Sequence, residues 1–474
     1  MIYDITLIGA GIIGCQLAYD LSHFNVSICL LEKNNEVLNE ITSANSGIIH
    51  TGYDPEEGTL KAQLNVLGAL RYPSLCAELK VPYAQVGSLV VSNDEEGTRQ
   101  LDVLEARAQQ RHIPVERLNQ NQVRAREPHI STEVIEALYF PTTGMILPWE
   151  VGYALIDHAC ANGLELKRNA EVLGVLQHET HIELITPQGS ILTKQVINCA
   201  GLKGEVVARL YDRNYPHVLS FRKGQYHVTD KTDESYINHI LFPVPTSKGK
   251  GILAVKTTEG NLLFGPTSEA VDNPYDHSTS LEGLREIDEK LPKLIQALPK
   301  SHMIHQFAGM RPNPNTKDFI IEMKDDRWIN AIGIDSPGLA SSPAISNYII
   351  DTLLKPIVSL MPKKNYVALE ANADHRTENL ENWNERIQKN PNYGKIVCVC
   401  EGVSEQEILN AIRRPAGAVS IKGVKRRVRP GSGRCQGGFC ESRIVSILAK
   451  ELNISKEAVV YEDSPFLYDV KVKS

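Results

Sequence analysis

A chain of 474 residues is too long for one ordinary hydrophobic core and predicts two or three domains. An apolar fraction of 42% with 23% charged residues fits a globular enzyme, and a formal net charge of −7 offers nucleic acid no footing. No apolar run approaches the roughly 20 residues that cross a bilayer.

The chain opens with a predicted strand, Asp4 to Ile8. Its flank MIYDITLIGAGIIG has neither a basic leader nor a small-residue cleavage site, so the expected location is the cytoplasm, with membrane association only through a complex. Gly9, Gly11 and Gly14 follow the strand directly and open a helix expected from about Cys15 to Ser22. A second strand, Val26 to Leu31, ends at Glu32, eighteen residues beyond Gly14. Each glycine has a distinct use: Gly9 for the tight turn, Gly11 for close approach of a pyrophosphate, Gly14 for helix–strand packing. Glu32 is placed to accept hydrogen bonds from ribose hydroxyls. The pattern predicts a dinucleotide site and leaves open which dinucleotide.

From there to about residue 350 short strands alternate with helices, including GSLVVS (87–92), QVINCAG (195–201), GQYHVT (224–229) and GNLLFGP (260–266). Near residue 328 a strand runs to Ile332, then Gly333, then Ser336-Pro337-Gly338, then a helix expected to carry Pro343 near its first turn. The free N–H groups of that helix suit an electron-rich ring edge. The opening motif, NSGIIHTGYDPEEGTLKAQLN (45–65) and AIGIDSPGLASSPAI (331–345) together resemble the FAD-dependent oxidoreductases. That family includes D-amino-acid oxidase, glycerol-3-phosphate dehydrogenase and L-2-hydroxyglutarate oxidase.

The resemblance covers residues 1–355 and implies an α/β fold: a Rossmann-like FAD domain interwoven with an antiparallel-sheet substrate domain. It puts Ser46, Gly47, Ala200, Gly201, Gly333, Ser336, Gly338 and Leu339 beside FAD, with Gly9, Gly11, Gly14 and Glu32. It also implies that His50, in GIIHTG, is the base that takes a hydroxyl proton over the flavin. His227, His302 and His305 are alternatives. Arg311, in FAGMRPNP, matches the family's anchor for an anionic substrate. Lys256 is a further anchor candidate, with Arg222, Lys223 and Tyr226 behind it.

Residues 356–394 are polar and thin in large apolar side chains, which predicts a linker or a surface-wrapping arm. The compact unit 395–474 follows, with two expected helices; the first begins with Ser404 and Glu407 in capping-box spacing. Two short helices make a thin core that needs a staple.

The cysteines offer one. Of nine, Cys15, Cys29, Cys76, Cys160 and Cys199 are scattered in apolar surroundings and read as small buried hydrophobes. The others form Cys398-x-Cys400 and, after thirty-four intervening residues, Cys435-x4-Cys440. Four thiolates suit a 2Fe–2S cluster; zinc prefers wider pairs, and a redox dithiol needs only one pair. The unit resembles the bacterioferritin-associated ferredoxin-like 2Fe–2S domain, in the version fused to anaerobic-type glycerol-3-phosphate dehydrogenase subunits. Gly437 and Gly438 would let backbone N–H groups approach the sulfurs. The basic run 422–434 is either solvated, or balances the cluster's charge, or docks an acidic partner.

A flavin takes electrons in pairs and such a cluster passes them singly. The expected protein is therefore a dehydrogenase that feeds an electron-accepting partner subunit, and the resemblance to the glycerol-3-phosphate branch implies sn-glycerol 3-phosphate as its substrate. A 2-hydroxy acid such as L-2-hydroxyglutarate is the alternative substrate, and a non-catalytic flavin and iron–sulfur relay the alternative function.

Overall fold

In a computed structural model of the chain, residues 1–231, 236–245, 251–296, 303–371 and 373–467 are described. The opening strand Ile2–Ile8 lies inside an eight-stranded sheet. It pairs in parallel with Ile28–Leu31 on one side and with Gly189–Asn198 on the other. Glu165–Lys167 and Trp328–Ile332 extend the parallel part outward. Ile5 and Leu7 are fully buried, as a central parallel strand covered on both faces requires. The first helix starts earlier than the sequence suggests, at Ile12, because the turn Gly9–Gly11 already delivers the chain into helical geometry.

A second, nine-stranded sheet is built on the long strand Leu219–Lys231. This strand pairs antiparallel with Met303–Pro314 along most of its length, and with Asn261–Gly265 and Glu269–Val271. The chain crosses between the two sheets repeatedly, so neither is continuous in sequence. Helices Leu60–Leu79 and Gly338–Tyr348 pack together, and Gly68 makes the close approach: a Cβ there would strike the Ala340 carbonyl. Pro343 lies in the interior of Gly338–Tyr348, and Pro337 is the proline at the helix start.

After Leu354 the chain runs along the nucleotide-binding layer. Asn25 donates its N–H to the Met361 carbonyl (2.8 Å), and His23 stacks on Tyr366 with ring centroids 4.0 Å apart. The helix Leu380–Lys389 buries none of its residues. The C-terminal unit has a strand pair, Ile396–Cys398 with Val403–Ser404, and three helices: Glu405–Arg413, Ile421–Val428 and Glu441–Leu452. Ser404 and Glu407 form the complete capping box. Ile408, Val424, Ile444 and Leu448, all fully buried, form its core.

The middle helix corrects the reading of the basic run, which is neither a solvated loop nor a free docking strip. Arg427 meets Glu36 at 3.1 Å with both side chains buried, and Arg429 meets Glu259 (3.2 Å) and Glu401 (3.3 Å). Arg426 and Lys422 share Glu462 at 2.9 and 2.5 Å. Arg434 is the strongly exposed arginine of the run, and it holds Asp230 at 2.6 Å. The acids that neutralise the run lie in distant segments, so a count of local charge could not show them.

Candidate flavin and iron–sulfur centres

A cavity of about 790 Å³ runs between the two sheets, from Glu32 at one end to Arg311 at the other. Its first half is built by the opening turn. A Cβ on Gly9 would sit 2.6 Å from the Cys199 carbonyl oxygen, and one on Gly14 would overlap the Gly9 carbonyl. At Gly11 the nearest atom is Thr42 Oγ1 at 3.5 Å, which leaves open space over the helix start. The N-cap residue, Gly11, has no side chain to cap that helix; Ile12 donates its N–H to Thr42 Oγ1 at 3.0 Å. Glu32 is buried and accepts from the Ala10 and Asn34 N–H groups, each at 2.9 Å. Burial pushes its carboxyl up to about 7 against those two hydrogen bonds.

Ser46, Ala200, Gly201, Ser336, Gly338 and Leu339 line the cavity. Gly47 and Gly333 do not line it. Both have positive φ (71° and 63°), and a Cβ would meet the Ile146 carbonyl in one case and Pro314 in the other. Their missing side chains make room for neighbouring chain, not for a ligand. Thr42, Asn39 and Lys203 also line the cavity, and sequence reasoning misses them because none sits in a recognisable spacing.

At the far end His50 follows the short strand Ile48–Ile49, lines the cavity and is 9% exposed. Its carbonyl accepts from Asn65 Nδ2 at 2.7 Å, and its ring lies 5.4 Å from that of Phe242. Arg222 and Arg311 are directly opposite one another on antiparallel strands, and both line the cavity. Arg222 is braced by Ser268, through Nε to Oγ (2.7 Å) and a terminal nitrogen to the carbonyl (2.6 Å). Tyr226, also in the lining, is hydrogen-bonded to Arg311; burial pushes its phenol up, and the arginine opposes that shift.

Lys256 is not in the lining. Its strand, Leu253–Lys256, touches the cavity at Leu253, and three residues at about 3.3 Å each carry Lys256 some 10 Å further along. Lys223 is turned to Asp276 (3.0 Å), and His227 lies 3.7 Å from Asp288. His305 faces Lys422 and Lys425, whose charges add to burial in lowering its pKa. His302 lies outside the described residues.

The four clustered cysteines converge. Cys400 and Cys435 sulfurs are 3.5 Å apart near the surface, while Cys398 and Cys440 are hydrogen-bonded to each other and 1% exposed. The Cys440 hydrogen bond holds the Cys398 thiol down to about 6 and drives that of Cys440 far upward. Backbone N–H groups of Gly431 and Glu401 point at Cys398, and those of Gly437 and Phe439 at Cys435. Four sulfurs so placed, wrapped in backbone donors, suit a cluster of thiolate-bound iron.

Comparison with known proteins agrees with both centres. Residues 4–352 match the family described as FAD dependent oxidoreductase, and residues 396–450 the BFD-like [2Fe-2S] binding domain. The chain is 40% identical over 456 residues to a glycerol 3-phosphate dehydrogenase of Caloramator mitchellensis, covering 95% of each. It is 31% identical to a glycerol 3-phosphate oxidase of Mycoplasma genitalium over 76% of this chain and 98% of that one. Among solved structures it is similar to L-alpha-glycerophosphate oxidase of Mycoplasma pneumoniae, dithionite-reduced with FAD bound. The TM-score is 0.73 and the identity 29%, over 78% of this chain and 98% of that one.

The chain belongs to the FAD-dependent oxidoreductase family. It is an oxidoreductase whose cofactors are FAD and a 2Fe–2S cluster. Among the described residues, no helix is long and apolar enough to cross a membrane.

Proposed function

We propose that this protein oxidises sn-glycerol 3-phosphate to dihydroxyacetone phosphate and exports the electrons through its cluster to a partner protein, on the way to quinone. The observation that carries the substrate is the Arg222–Arg311 pair. Like charges directly opposite on an antiparallel pair repel each other, and a phosphate between them turns that repulsion into two charge-assisted contacts. A dianion satisfies both arginines better than a single carboxylate does. The names of the 40% and 31% identical relatives support the same substrate.

The alcohol loses two electrons and two protons. His50 takes the hydroxyl proton; Asn65 Nδ2 holds the His50 backbone carbonyl, and the ring lies against Phe242 in the cavity wall. Arg222 and Arg311 fix the phosphate, so that the carbinol carbon stays at the flavin end. The surrounding apolar wall, Leu253 among it, keeps water from the departing hydride. FAD, when bound, supplies the two-electron acceptor, and the cluster supplies a one-electron outlet.

The test is anaerobic. Glycerol 3-phosphate, and separately L-2-hydroxyglutarate, is added to the purified holoprotein while flavin absorbance and the low-temperature EPR of the cluster are followed. Flavin bleaching and then a cluster signal with glycerol 3-phosphate alone is the expected result. Bleaching with the hydroxy acid alone would move the substrate. No response to either, in protein that contains FAD and iron, would sink the catalytic reading and favour a relay.

A further inference from the structure

The residues that follow Glu32 have two masters. Lys33, Asn39 and Glu40 line the cavity just beyond the ribose-binding carboxylate. The same segment is gripped from outside by the iron–sulfur domain. Glu36, between them, is 0% exposed. Its carboxylate accepts from the Val419 N–H (2.7 Å), the Ser420 N–H (3.1 Å), Ser420 Oγ (3.2 Å) and Arg427 (3.1 Å). All four donors belong to the basic helix and the residues just before it. The socket is closed by Gly423, where a Cβ would overlap the Glu36 carboxylate. Arg427 is fixed in turn by the Ala416 carbonyl (2.6 Å) and stands over the Tyr153 ring at 3.8 Å.

The grip extends to the cavity wall itself. Asn39 accepts from Arg426 and donates to Asp463 at 3.2 Å, while Asn35 donates to the Glu462 carbonyl. Inward, Leu38 donates its N–H to the Ala10 carbonyl at 2.9 Å, in the turn between Gly9 and Gly11. A short rigid path thus joins Arg427, Glu36, Leu38 and the glycine turn.

We propose that the iron–sulfur domain completes the FAD site: Glu36 and Arg427 are positioning residues that hold the 33–40 loop against the adenosine half of the cofactor. Once its four donors leave, the Glu36 carboxylate is solvated by water and nothing on the domain side holds the 33–40 loop in its place. Undocking the domain therefore lets the loop move out of register with the turn that cradles the dinucleotide. By linkage, FAD tightens the docking of the domain as much as the docking tightens FAD. This goes beyond the proposed substrate and does not depend on it.

The experiment uses full-length holoprotein and reads the FAD dissociation constant from fluorescence released on dilution, with iron and acid-labile sulfide measured alongside. Arg427→Met and Gly423→Ala are expected to weaken FAD binding about tenfold or more with cluster content unchanged. Arg414→Met is the comparison, since Arg414 docks the domain through Asp157 (2.9 Å) and not through the loop; FAD affinity there should fall clearly less than in Arg427→Met, because general docking is weakened while the contacts of the loop are kept. Unchanged affinity in Arg427→Met, or equal weakening in all three, overturns the proposal. Should the variants not fold, hydrogen exchange on the wild-type chain decides it. Removing FAD should raise exchange at residues 419–428 well above that at 441–452, and equal change in both would overturn the inference.

Discussion

The two ends of the cavity are made differently. At the FAD end, Gly9, Gly11, Gly14 and Glu32 come from one short strand–turn–helix–strand unit; the glycines act through backbone geometry and Glu32 through a carboxylate that two local N–H groups hold. His50, Arg222 and Arg311, at the proposed substrate end, come from three distant segments, and the two arginines face each other only because two long strands pair in register. The first kind of site survives in any chain that keeps the local spacing. The second depends on strand register, where a slip of one residue would turn an arginine to the other face.

The cluster is the extreme case of a spacing-defined site, and its loss is the largest effect expected. Cys398→Ser should remove most of the iron and sulfide while substrate still bleaches the flavin, which metal analysis and absorbance check together. Retained iron would show that the buried Cys398–Cys440 pair is not needed to hold it.

Next in size is the base. His50→Gln should lower kcat by about 10²- to 10⁴-fold with KM little changed, as expected when proton removal is lost and binding kept. A fall in kcat/KM carried by KM alone would make His50 a binding residue.

Breaking the arginine pair is expected to cost less. Arg311→Lys or Arg222→Lys should raise KM for glycerol 3-phosphate by about 10- to 100-fold, the worth of one charge-assisted contact. Lys256→Ala should stay within about twofold, since its strand leaves the cavity at Leu253. If Lys256→Ala costs as much as Arg311→Lys, the anchor has been assigned to the wrong strand.

The smallest effect is one of pH. The Glu32 carboxyl, pushed up to about 7 by burial, is protonated below that pH, while hydrogen bonds from ribose hydroxyls favour its ionised form. FAD affinity should therefore fall as pH drops through 7, by up to about tenfold between pH 7 and 6. Titration of the apoprotein with FAD checks it, and Glu32→Gln should flatten the dependence.

Much of the molecule is legible in the order of its residues. The opening motif, the strand into Ser336-Pro337-Gly338 and the four cysteines announce themselves because their function lies in residues close in sequence. Even there the packing adds something the motif does not show: Gly47 makes room for the Ile146 carbonyl and Gly333 for the Pro314 ring. The basic run misleads, because Glu36, Glu259 and Asp230, which bind its arginines, are far away in the chain.

Local spacing and backbone geometry suffice for the strand–turn–helix opening with Glu32 behind it, for the two cofactors and for the family, and all of these can be read from the residues in order. Nothing short of the packed chain shows that Arg222 faces Arg311, that Lys256 stands aside, or that a helix of the iron–sulfur domain grips the loop beside FAD. Strand register and the burial of charge belong to the whole fold and to no single segment. Long-range pairing chooses which arginine meets an acid and which is left lining the cavity.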